Sequence, residues 1–177
     1  MAFVFVHLII GWLFGRGYEV ISGTDIGYYG WLFLLAGAVL PDIDLLADWI
    51  FGWCAHRKFT HSLLFAGLMI GLSYFILKII NYSNLLEIEN QMMLAVILCV
   101  GISIHILTDT AYGIGVPLLW PSKWYVSLFK GINYAPVIGG LTGEMDYMKT
   151  IIKRIVFDMG LGALWFFYLL LTNKIVF

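Results

Sequence analysis

Charge is what this sequence has least of. Of 177 residues, 10 are Lys or Arg and 11 are Asp or Glu, 12% together, against roughly a quarter in an ordinary soluble domain. The net charge of −1 leaves no basic excess, so no nucleic-acid partner is expected. Cysteine is nearly as scarce. Cys54 and Cys99 stand in apolar contexts without a C-x-x-C spacing, which argues against a disulfide framework and a structural zinc knot. The opening apolar stretch has neither a basic n-region nor an A-x-A-like site, so it reads as a first span and not as a cleaved leader. No internal repeat or low-complexity tract is visible.

What fills the space is hydrocarbon. The chain is 62% hydrophobic, with a mean hydropathy of +0.92, and its apolar residues fall into long runs. These cover 1–15, 28–50 (broken by Pro41, Asp42 and Asp44), 59–80, 91–109 and 151–172. The longer runs reach about 20 residues, enough to cross a bilayer core of roughly 30 Å. An all-α integral membrane bundle of about five helices follows, one domain over 1–177 in a lipid bilayer, with polar connectors at 16–27 and 81–90. A longer connector, 110–150, is rich in Trp, Tyr and Lys and suits the membrane interface or a lid beside a site.

Connectivity sorts the rare polar residues. Asp42 and Asp44 close the second run, and His56 and His61 open the third after a short loop. The fourth run returns to that side and ends in His105 and Asp109, and the first run starts there with His7. Every histidine and three aspartates therefore gather at one membrane face. Thirteen residues from Tyr28 to Leu40 make only about 20 Å of helix, so the carboxylates are slightly submerged. Ionisable groups at that depth mark a functional site by default.

The spacings indicate metal chemistry. His105 and Asp109, four apart, share a helix face and can hold one ion or two adjacent ones. Asp109 also sits near a helix C-terminus, where the dipole disfavours a carboxylate and a cation would compensate. Asp42 and Asp44 diverge by about 200° on a helix, so one serves as ligand while the other orients a histidine or caps the third helix. His61 and His7 complete the candidate ligands. Arg57, four before His61, suits a phosphate or oxyanion clamp. His56 turns about 140° from His61 on a regular helix; it is either a proton shuttle or an interfacial residue. Asp44 and His56 are thus candidate proton carriers beside Arg57. Thr60 either caps the helix or bonds a carboxylate, and Glu144 and Asp146 read as solvated connector residues. A His/Asp set suits zinc, with manganese or iron as alternatives. Water on such an ion is a nucleophile near neutral pH, which makes hydrolysis the simplest reaction class.

At these residues the chain resembles the YdjM-like family of membrane-bound, metal-dependent hydrolases, a domain also described as of unknown function. The matching pieces are the early His7, G-A-x-L-P-D-I-D at Gly37 to Asp44 and H-R-x-x-T-H-S at His56 to Ser62. H-x-x-x-D at His105 to Asp109 and Y-G-x-x-x-P-L-L-W-P at Tyr112 to Pro121 follow. The resemblance implies a multi-span inner-membrane protein with a metal site. A more distant similarity is to zinc-dependent phospholipase C and the P1-type nucleases. By that analogy Asp109 bridges two metals, with His7 on one side and Asp42, His61 and His105 on the other. No histidine follows 105, so the third-metal ligands of those enzymes are missing.

The expected function is hydrolysis of a phosphoester in a lipid or other membrane-proximal substrate. The alternatives are a metal-ion or proton transporter, and a non-catalytic scaffold with a structural metal. Seven basic residues, Arg57, Lys58, Lys123, Lys130, Lys149, Lys153 and Arg154, fall on the site side and three, Arg16, Lys78 and Lys174, on the other. The positive-inside rule then puts the site on the cytoplasmic side of a prokaryotic inner membrane.

Overall fold

The computed structural model describes residues 4–44, 50, 59–84, 88–111, 115–122, 125–128 and 144–172, with only the backbone at 144–155. Among them are five α-helices and no strand: α1 Val4–Ser22, α2 Gly27–Val39, α3 Leu63–Tyr82, α4 Gln91–Ala111 and α5 Glu144–Leu171. Two 3-10 turns, Leu40–Asp42 and Phe59–His61, carry the polar residues Asp42 and His61. Three helices, α1, α3 and α4, are long and apolar enough to cross a membrane; Val156–Leu171 of α5 is a shorter apolar stretch. The outward faces agree with a lipid solvent. On α3, Leu64, Leu68, Leu72 and Phe75 are each about half exposed or more, a stripe that water would not tolerate.

Local chemistry explains where each helix stops. Gly23, at φ 66°, donates its N–H to the Glu19 carbonyl and ends α1 in the left-handed conformation glycine favours. α1 therefore runs to Ser22 rather than ending near residue 15. Arg16, which suggested a connector, instead folds back over the rings of Trp12 and Trp31 and pairs with Glu19 at 2.8 Å. Ser62 is extended at φ −119°, and its hydroxyl accepts the Phe65 N–H at 3.2 Å. That cap starts α3 at Leu63, four residues later than the apolar run suggests, because serine offers an oxygen to a free N–H that phenylalanine cannot. α5 starts at Glu144, so Glu144 and Asp146 lie in a helical first turn and not on a connector. Acidic residues suit that end of the dipole, which a reading by hydropathy alone overlooks.

Packing is closest where side chains are smallest. A Cβ on Gly37 would overlap the Leu98 carbonyl, and one on Gly101 would overlap the Leu34 carbonyl. α2 and α4 thus touch backbone to backbone and run parallel, as small-residue membrane interfaces allow. On α1, Gly11 faces Ala38 and Gly15 faces the Trp31 ring, so α1 lies antiparallel on α2. Ile102, Ile106, Leu98 and Ala66 form the core between α3 and α4. Phe5 against Gly162 and Trp12 against Trp165 and Tyr168 seat α5 parallel to α1. Beyond α4, Val116 and Val126 form a single antiparallel bridge. Leu118 accepts the Leu63 N–H at 3.0 Å and Thr110 accepts the Leu128 N–H at 2.9 Å. The described start of the long connector is tied by these bonds to the site ends of α3 and α4, with Trp120 edge-on to Phe59.

Candidate metal centre

The α2–α4 contact sets the first ligand. One helical turn beyond the Gly37–Gly101 approach, the Ala38 carbonyl lies 2.7 Å from His105 Nδ1. Since a carbonyl can only accept, Nδ1 carries the proton, and Nε2 is left as a lone-pair donor. His105 Nε2 faces His61 Nε2 at 3.2 Å. Two neutral nitrogens have no reason to face each other so closely unless a proton or a cation joins them. Around this pair, Asp42 Oδ1 is 3.8 Å from His61 Nε2 and 3.6 Å from His105 Nε2. Asp109 Oδ2 is 3.5 Å from His61 Nε2. Ligands at 2.0–2.1 Å from a tetrahedral zinc stand about 3.3 Å from one another, and the separations from His61 and His105 Nε2 to each other and to the two carboxylates, 3.2–3.8 Å, are near that value. The donor set fits a divalent ion.

His7 extends the cluster on its other side. Its ring stacks on that of His105, with centroids 3.7 Å apart and planes 16° from parallel. Its Nε2 is 3.6 Å from Asp109 Oδ1, so the two oxygens of Asp109 face two different imidazoles. Potential ligand atoms of His7, Asp42 and His105, and separately of His61, His105 and Asp109, lie within 4.8 Å of one another. All three histidines are fully buried and Asp109 is 1% exposed. Buried carboxylates and imidazoles at this density are costly unless paired or bound to a cation.

Asp44 has a different part from Asp42. Its Oδ2 accepts a hydrogen bond from the Thr60 hydroxyl and lies 3.5 Å from His61 Nδ1, the nitrogen on the far side of the ring from the cluster. A carboxylate behind a histidine orients the ring and raises its basicity. Asp42 Oδ1 thus faces the Nε2 atoms of His61 and His105, while Asp44 lies behind His61 with Thr60, whose hydroxyl bonds Asp44 and lies 3.0 Å from His61 Nδ1. Burial pulls the His61 pKa down, but the adjacent Asp109 and Asp44 carboxylates outweigh it, and the ring is held above its ordinary value.

His61 lies in the 3-10 turn Phe59–His61, ahead of α3. His56 and Arg57 lie outside the described residues. The structure brings together His7, Asp42, Asp44, His61, His105 and Asp109: His7 from α1, His105 and Asp109 from α4, Asp42 and His61 from the two 3-10 turns, and Asp44 from just beyond the first turn. Two contributors had no part in the sequence reading. The Ala38 carbonyl leaves no trace in residue type. Asp158 accepts the N–H groups of Phe5 and Val6, and its one visible signal is a lone carboxylate inside an apolar helical run.

No curated protein and no solved structure matches the chain. A family model does: the pattern described as YdjM inner membrane protein matches residues 1–176. The apolar spans, the gathered histidines and aspartates, and this match over almost the whole length lead to one conclusion: the chain is a membrane protein of the YdjM inner membrane protein family.

Proposed function

We propose that the protein is a membrane-embedded, metal-dependent hydrolase acting on a phosphoester of a lipid or another substrate at the membrane surface. The observation that carries this reading is the approach of His61 Nε2 to His105 Nε2 at 3.2 Å, closed by carboxylates on two further sides. His61, His105, Asp42 and Asp109 would hold one ion, with zinc favoured by the His/Asp set and manganese or iron as alternatives. His7 and the second oxygen of Asp109 would serve that ion or a second beside it. A divalent ion bound there supplies Lewis acidity and a nucleophile at neutral pH.

The chain's own residues supply orientation and proton control. The Ala38 carbonyl holds the His105 ring, and the Thr60 hydroxyl, 3.0 Å from His61 Nδ1 and bonded to Asp44, holds the His61 ring, each with Nε2 inward. Arg57 is assigned to the phosphate oxygens, since a guanidinium matches that geometry with two parallel bonds. His56 is assigned to proton transfer at the leaving group. The described start of the connector, with Leu119 and Tyr125 exposed, suits a lip at the lipid surface. The excess of basic residues on the site side supports a site on the cytoplasmic face.

Purified protein should contain a divalent ion by elemental analysis and should cleave a phospholipid or phosphodiester in a chelator-sensitive manner. Metal uptake into vesicles without hydrolysis would favour a transporter instead. Bound metal with neither activity would favour a structural centre.

A further inference from the structure

α5 contributes none of the six clustered residues, yet one of its side chains reaches the start of α1. Asp158 is 6% exposed and lies within the apolar stretch Val156–Leu171. Its two oxygens face the backbone N–H of Phe5 at 3.3 Å and of Val6 at 3.2 Å. These N–H groups belong to the first turn of α1, which has no acceptor of its own within the helix. The neighbouring contacts between α1 and α5, Phe5 on Gly162 and Trp12 on Trp165, are apolar. Packing alone would be served as well by leucine, and a carboxylate at this depth is costly. What the carboxylate adds is direction, because it grips two successive backbone groups.

The next residue after Val6 is His7. Farther along α1, Gly11 and Gly15 set the distance to α2, but they do not reach the first turn. A slip of one residue along a helix moves a side chain by 1.5 Å and swings it by about 100°. That swing would separate His7 from the His105 ring, 3.7 Å away, and from Asp109. We infer that Asp158 is a positioning residue for the buried histidine cluster, holding the start of α1 so that His7 stays against His105 and Asp109. The consequence for metal rests on the proposed function; the consequence for the placement of His7 does not.

Two measurements on the full-length protein in detergent separate these. The first is zinc affinity by chelator competition, for D158L, D158N and H7A and for the D158L/H7A double variant. Leucine suits the apolar span, so D158L should insert and fold, while asparagine keeps one acceptor. Loss of a residue that orients a ligand typically costs 10–100-fold in affinity, the drop expected for D158L. D158N should lose only a few-fold. D158L/H7A should bind no more weakly than H7A, because the effect passes through His7. Unchanged affinity in D158L, or a full further loss on the H7A background, would overturn the inference.

The second measurement needs no metal. His7 acylation by diethyl pyrocarbonate, read by peptide mass spectrometry on chelator-treated protein, should be slow in the natural protein and fast in D158L, with D158N between them. If wild-type protein binds no zinc but D158L still unmasks His7, the metal reading fails and the positioning role stands. If His7 remains protected in D158L, the positioning role fails whatever the metal result.

Discussion

The same helices carry a polar cluster at each end, and the two are built on different principles. At the far end, Arg16 and Glu19 pair at 2.8 Å on α1. Glu19 also accepts the Trp31 indole N–H at 3.0 Å and the Ile26 N–H at 3.2 Å, and the guanidinium lies over two tryptophan rings. Charge meets its countercharge within hydrogen-bond distance, and the side chains keep some exposure, 28% and 13%. At the other end, carboxylate and imidazole atoms converge at 3.5–3.8 Å, outside normal hydrogen-bond range, with the histidines fully buried. An ion pair that closes on itself ties α1 to α2. The second cluster gathers imidazole and carboxylate atoms from α1, α4 and the two 3-10 turns, the arrangement on which the proposed metal site rests.

The largest effect expected from breaking this contrast is at the ligands. Asp109→Ala and His61→Ala should each abolish stoichiometric metal in elemental analysis and lower chelator-sensitive hydrolysis by at least about 1,000-fold, the scale of losing an electrostatic centre of catalysis. Retained metal in both variants would remove the proposed ligand set. Next comes the residue behind His61. Asp44→Asn should weaken metal binding by about 10–100-fold while leaving one metal per chain at saturation; loss of the metal at saturation would make Asp44 a ligand instead.

Acidity sharpens the contrast further. Protons and metal compete for His61 Nε2, so affinity measured by chelator competition should fall as pH drops. The fall should begin above the ordinary imidazole value of 6.5, because Asp109 and Asp44 hold the His61 pKa up. In metal-free protein the sign reverses. The protonated ring is favoured in the folded state, so its contribution to stability is complete below pH 6.5 and disappears as pH rises through the raised value. Thermal melts of metal-free protein across that range check it. The smallest effect on metal is expected at the far end. Glu19→Gln should lower the thermal midpoint by a few degrees and leave metal content unchanged, since it disturbs only the closed ion pair. A loss of metal there would show that the two ends are coupled.

How much of this was legible depended on what periodicity can carry. Apolar run length located the five helices among the described residues, and alternation of direction put His7, Asp42, His61, His105 and Asp109 at one face. Their boundaries were less legible. Arg16 looked like a connector because its charge is neutralised by Glu19, seven residues before the Ile26 N–H that Glu19 also binds. Phe59 looked like a helix start because the cap, Ser62, follows a turn that hydropathy does not register.

The sequence by itself determined that this is an all-helical membrane protein of limited charge, and that its scarce imidazoles and carboxylates meet at one end. Span length and strand-free connectivity suffice for that. Only the tertiary structure decided that Asp42 faces the Nε2 atoms of His61 and His105 while Asp44 lies behind His61, that these two Nε2 atoms face each other, and that Asp158 of α5 binds the first turn of α1. Those outcomes depend on contacts between residues far apart in the chain. The Gly37–Gly101 approach brings Ala38 to His105, and the seating of α5 beside α1 brings residue 158 to residues 5 and 6. Helical period fixes the side of a helix on which a residue lies; the partner it meets there depends on how closely two backbones can approach.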